Sequence, residues 1–257
     1  MRESGSGRVR AGYAPHALYT VGPDSLRWVA ERAEERGATV QIHLSETREE
    51  VENCISVHGV RPAFHLESAG LLGPNTILAH GVWLDEAELE LIAERGATVV
   101  TNPVANLKLA VGGLFPYLAA RRRGVAMGLG TDGPGSNNSL DLFSDLKTFA
   151  LLQKNAAWDA AAVDAGETLR LGQGDSSPLL RTPALSAGAP ADFLLVRTRS
   201  PELALGALDA GLVYAASGSI VDTTVVAGRA LMRGGNVDDA SEAMTRAQEC
   251  ASRIGVR

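Results

Sequence analysis

Short apolar runs recur through the first half of the chain, each ending in a few polar residues and then an amphipathic stretch of helical spacing. That alternation is the signature of parallel β/α units, and it excludes most sandwiches and bundles. Arg8 to Ala14 reads as a strand, Ser25 to Arg36 as a helix stopped by Gly37, and Thr39 to Leu44 as the next strand. A helix from Arg48 to His58 carries a capping-box pair, Thr47 with Glu50 three residues on. After a connector from Arg61 to Leu72 come a strand at Thr76 to Ala79, a helix at Asp85 to Arg95 and a strand at Thr98 to Thr101. A loop from Asn102 to Gly113, a helix at Phe115 to Arg123 and a strand at Val125 to Leu129 complete the series. About five strands with helices between them suit part of a (β/α)8 barrel, which needs eight.

From Gly172 the composition turns to Pro, Gly, Ser and Ala. Ala191 to Arg197, Leu212 to Ala215 and Val221 to Met232, broken at Ala227-Gly228, read as strands of a small β domain, and Asp238 to Ile254 as a closing helix. The expected fold is therefore α/β: a partial TIM-type barrel of C-terminal strands with part of a small β-sandwich domain. The expected boundaries are 1–182 for the barrel part, 183–236 for the β part and 237–257 for the helix.

Composition narrows the partners. A net charge of −6 opposes a phosphate-binding surface, since nucleic acid is met with a clustered basic face. Arg121-Arg122-Arg123 reads as the solvated end of a helix. No apolar run approaches the roughly 18 to 20 residues that span a bilayer. Cys54 and Cys250 stand far apart without metal-type spacing, and the N-terminus lacks the apolar stretch of a secretory signal, so a reducing cytoplasm is expected. Trp28, Trp83 and Trp158 are scattered and read as packing residues, while His58 and His65 fall away from strand ends and read as structural.

In a barrel of this kind chemistry lies at the C-terminal ends of the strands. The strands here end in Pro15-His16-Ala17, His43-Leu44-Ser45-Glu46-Thr47, His80-Gly81, Thr101-Asn102-Pro103 and Gly130-Thr131-Asp132-Gly133. Imidazole and carboxylate suit Zn²⁺, and a catalytic zinc takes three protein ligands and leaves a position for water. By residue type, His43, His80 and Asp132 are candidates for that shell. Glu46 is the candidate general acid/base beside it. Asn102, Asn106 and Lys108 are candidates to line the pocket, against the plainer reading of an Asn-Pro turn and a solvated lysine. The string Gly128 to Gly133 also fits a dinucleotide GxGxxG, but the stretch after it reads as loop, which argues against that use.

Pro15-His16-Ala17-Leu18-Tyr19-Thr20, His43 to Thr47, Asn102 to Leu109, and Gly128 to Gly133 followed by Ser136-Asn137-Asn138 together resemble, in order, the motifs of a known group. It is the 5-methylthioadenosine/S-adenosylhomocysteine deaminase group of the amidohydrolase superfamily, close to the triazine hydrolases. The resemblance runs from about Arg8 to Leu152 and resumes at Ala189 to Val196. It implies a zinc-dependent hydrolytic deaminase acting on an adenosine-type small molecule, with Zn²⁺ or another divalent transition metal held by His43 and Asp132. It implies Glu46 as proton shuttle and substrate contact, and His16 as substrate contact. Asn106 joins them as a pocket residue. His80 moves from ligand to a second catalytic role, and Asp132 also helps activate water. A homo-oligomer is compatible with it. The family's opening His-x-His is absent, because the histidines stand at 16, 43, 58, 65 and 80, so the chain reads as N-terminally truncated. The alternatives are a catalytically incomplete fragment and a related aminohydrolase or chlorohydrolase acting on another N-heterocycle.

Overall fold

The computed structural model describes residues 11–180 and 185–256. The chain divides into two compact units, Met1–Thr182 and Pro183–Arg257. In the first, α1 (Pro23–Arg36), β1 (Val40–Leu44), α2 (Arg48–His58), α3 (Pro62–Ser68), β2 (Thr76–His80), α4 (Glu86–Arg95) and β3 (Thr98–Thr101) follow one another. Then come α5 (Pro103–Lys108), α6 (Tyr117–Arg122), β4 (Ala126–Leu129), α7 (Pro134–Asn137), α8 (Leu142–Ala157) and α9 (Ala165–Gly172). The four strands form one parallel sheet in sequence order. This is the strand-helix repeat of a (β/α)8 barrel, carried here by four strands among the described residues.

The local reasons are ordinary chemistry. Gly37, Gly59 and Gly96 close α1, α2 and α4 in the left-handed conformation that a glycine adopts without steric cost. Pro stands at the first position of α1, α3, α5 and α7, where its missing N–H costs no helical bond. The apolar faces meet in one core that includes Leu26, Ile42, Leu44, Leu66, Leu78, Leu89, Ile92, Val99 and Phe149.

Of the expected first strand, residues 8–10 lie outside the described residues. Its end runs beside β1 through the bridge Tyr13–Val40, with the Tyr13 N–H on the Thr39 carbonyl (2.9 Å) and the His43 N–H on the His16 carbonyl (3.0 Å). The connector at 61–72 and the loop at 102–113 each contain a short helix, α3 and α5. Too short for a visible apolar period, both are announced only by their leading prolines. Residues 134–137 likewise form one helical turn rather than loop, and α8 and α9 follow without having been read from the sequence. Arg121 and Arg122 do lie in the last turn of α6, where Arg121 pairs with Glu167.

The second unit holds an antiparallel sheet of β5 (Phe193–Val196), β6 (Val221–Val226), β7 (Arg229–Arg233) and β8 (Asn236–Val237), with α10 (Leu208–Tyr214) and α11 (Ala240–Arg253). β6 and β7 form a hairpin over Ala227-Gly228, both at positive φ, so the break seen in the sequence is its turn. Leu212–Ala215 is not a strand: residues 212–214 end α10, with Val213 turned inward, and a four-residue apolar run does not distinguish the two states. Trp158 is not a packing residue either. It caps α8 in the left-handed conformation and is 97% exposed, whereas the Trp83 indole N–H donates to the Val111 carbonyl (2.9 Å).

Candidate active site

Three histidine rings stand in a row where the strands of the first unit end. The His16 and His43 centroids are 4.8 Å apart and those of His43 and His80 5.3 Å apart. Each is held through Nδ1. His43 Nδ1 donates to the His16 carbonyl oxygen (2.6 Å), which fixes the tautomer and leaves Nε2 with its lone pair. His80 is 1% exposed, and its Nδ1 donates to the Asn106 amide oxygen (2.8 Å). His16 is exposed, with Nδ1 on the Thr20 hydroxyl (2.9 Å).

Glu46 stands two residues past the end of β1, and its Oε2 lies 3.9 Å from His80 Nε2. A carboxylate and an imidazole nitrogen at that distance flank a space in which a proton can pass by a small movement. The turn bringing Glu46 there is left-handed at Ser45 (φ 50°). His80 (φ 74°) and Asp132 (φ 59°) take the same conformation at the ends of their own strands. Non-glycine residues reach that region at a cost of order 1–3 kcal/mol, and they gather where side chains must be aimed.

Asp132 accepts the Gly133 N–H at Oδ1 (2.7 Å), and the loop after it is tied down by Asn137, whose amide donates to the Thr131 carbonyl (2.7 Å). Asn106 is buried and engaged by His80 and by the Thr101 hydroxyl (3.4 Å). Lys108 Nζ donates to the Gly135 carbonyl (3.0 Å) and to the Asn138 amide oxygen, so it bridges α5 to the segment after Asp132. Two buried carboxylates that sequence reasoning did not single out for the site hold these loops. Asp145 accepts the Val104 N–H (3.0 Å) and the Asn137 amide (3.3 Å), and Glu50 binds the turn at Ser45. Their partners are mostly backbone N–H groups brought close by folding, which leave no spacing to read.

His43, presenting Nε2, and Asp132 are zinc-type donors in kind. In number they fall short: among the described residues no group of three or more His, Cys, Asp or Glu side chains can hold a metal ion. A catalytic zinc takes about three protein ligands, so these residues do not complete a site by themselves. His58 and His65 stack at 3.9 Å on the helices α2 and α3; burial first, and then the neighbouring His58 ring, push the His65 imidazole down from its ordinary value.

The Amidohydrolase family model matches residues 1–231. The chain belongs to the amidohydrolase family. A 5'-deoxyadenosine deaminase of Methanoregula boonei is 44% identical over 250 residues, covering 96% of this chain and 57% of its own length. A 5-methylthioadenosine/S-adenosylhomocysteine deaminase of Haloarcula marismortui is 38% identical over 253 residues, covering 96% of this chain and 58% of its own length. The crystal structure of an adenosine deaminase from Xanthomonas campestris with bound zinc superposes with a TM-score of 0.89 at 35% identity, covering 95% of this chain and 57% of that one. The chain thus spans somewhat over half the length of the amidohydrolases it matches. The resemblance read from the motifs is the family the comparisons give, and the partial barrel is the fold of these neighbours. No helix among the described residues is long and apolar enough to cross a membrane.

Proposed function

We propose that this chain carries the Glu46 half of the active site of a hydrolytic deaminase acting on a 5'-substituted adenosine, in the cytoplasm. The observation that carries the reading is Glu46 set 3.9 Å from the buried Nε2 of His80, beside His43 and His16. The relatives' names support the substrate class.

In this proposal His43 and Asp132 contribute ligands to a zinc or similar divalent ion, and the remaining ligands come from beyond the described residues. When bound, such an ion supplies ionised water at neutral pH. As the water oxygen bonds to the ring carbon the C=N electron pair shifts to the adjacent ring nitrogen, and Glu46 carries the first water proton to that nitrogen; the second, from the new hydroxyl, passes through Glu46 to the amine as the carbon–nitrogen bond breaks, ammonia leaves and the carbonyl forms. With Nδ1–H committed to Asn106, His80 accepts a hydrogen bond at Nε2 from the attacking water and so orients it. His16, exposed at the mouth, contacts the substrate.

The test is ammonia release from 5'-deoxyadenosine, 5'-methylthioadenosine and S-adenosylhomocysteine with zinc supplied, beside zinc content per chain. Glu46→Gln is expected to keep its metal and lose about 10²- to 10⁴-fold in kcat. Stoichiometric zinc without ammonia from any of the three overturns the substrate class. A second reading, a half-site that is catalytically incomplete alone, is favoured by the missing third ligand. It predicts neither zinc nor ammonia.

A further inference from the structure

The turn that carries Glu46 is built around a second carboxylate. Glu50 lies on α2, 6% exposed, and reaches back past its own helix start. Its Oε1 accepts the Ser45 N–H (2.9 Å) and its Oε2 the Glu46 N–H (2.8 Å). Two successive N–H groups converging on one anion form an anion-binding concavity, and here an internal side chain fills it. The other half of the expected capping box is present, since the Thr47 hydroxyl accepts the Glu50 N–H (3.1 Å). The Glu50 carboxylate reaches beyond the box, to the N–H groups of the two residues before Thr47.

From this geometry we infer that Glu50 is a positioning residue that fixes where the Glu46 carboxylate stands. Three anchors meet at the turn. The Ser45 carbonyl accepts the Trp83 N–H (2.9 Å), the Ser45 backbone is held left-handed, and Glu50 takes both N–H groups. Without Glu50 two N–H donors in a buried turn lose their acceptor, and the backbone from which Glu46 projects is free to rotate toward a commoner conformation. Because the proton transfer spans under 4 Å, a displacement of about 1 Å costs on the order of 100-fold in rate. The groups facing Glu50 are Glu46 on the turn, Tyr19 from the segment before α1, and Cys54 on its own helix, with Asn53 and His58 along the same cleft of about 230 Å³. None is a cation in contact with it, so the backbone N–H groups are what hold the carboxylate.

The inference rests on the deaminase reading, and its test separates the two. Glu50→Gln keeps shape but turns an N–H donor against one of the two N–H groups. It is expected to lower kcat about 10- to 100-fold with KM within about threefold, and to add no further loss in a Glu46→Gln background, where shuttle placement no longer matters. Wild-type kcat in Glu50→Gln, or a full additional loss in the double variant, overturns the inference. Should the wild-type chain release no ammonia, its zinc content decides on the deaminase reading as set out above, and amide hydrogen exchange decides separately on Glu50. Protection at Ser45 and Glu46 that is lost in Glu50→Gln while the rest of β1 stays protected upholds it; unchanged protection overturns it.

Discussion

His43 and His80 are each gripped by one ring nitrogen so that the other is presented, and the grip differs in kind. A backbone carbonyl holds His43, which no side-chain substitution removes, whereas the Asn106 amide holds His80. Asn106→Ala should therefore free the His80 ring and lower kcat about 10- to 100-fold, the usual effect of removing a partner that orients a functional imidazole. Steady-state kinetics of the active enzyme measure it, and a change confined to KM would mean that Asn106 acts on substrate instead. His43, Glu46, His80 and Asp132 were visible in the sequence because each stands within three residues of the end of an apolar run. The role of Asn106 toward His80 was not, since 26 residues separate them and α5 was read as loop.

At the scale of elements, the loops at the strand ends are fastened by buried carboxylates. Asp145, fully buried on α8, holds the start of α5 through Val104 and the end of α7 through Asn137, so one side chain fixes both the segment bearing Asn106 and the one following Asp132. Asp145→Ala leaves those donors unpaired and is expected to destabilise the fold by about 1–3 kcal/mol, read from the denaturation midpoint at unchanged slope. The strands and the long helices α1, α2 and α4 were legible from period and caps. The short helices α3, α5 and α7 were not, because one or two turns carry no period; α8 went unread despite its 16 residues, and α10 was misread because a brief apolar run fits either state.

Across the whole molecule, Glu50, Asp145 and Glu88, the last fully buried on α4 and accepting from the Arg61 guanidinium (2.8 Å) and the Ala63 N–H (2.9 Å), share a property. Burial is the first cause raising each carboxyl above its ordinary value. A carboxyl so raised binds its proton more tightly folded than unfolded, so its contribution to stability grows as pH falls from above the folded value toward the ordinary range of about 4. His65 is shifted the other way and opposes the trend, losing stability as pH falls below about 6.5. Replacing one such carboxyl should flatten the profile. Thermal melts between about pH 5 and 8 are expected to show a smaller gain on acidification for Glu88→Gln than for the wild type; parallel curves would mean that Glu88 titrates alike in both states.

Ser45, His80 and Asp132 sit left-handed at the ends of three strands. A glycine at 80 or 132 would relax the main chain and delete the group that the twist aims. Selection in the laboratory for heat tolerance alone would thus drift first toward glycine at positions of the proposed active site, yielding descendants that last longer and, on that proposal, do less. Selection for turnover would hold those residues in place and accept a softer molecule.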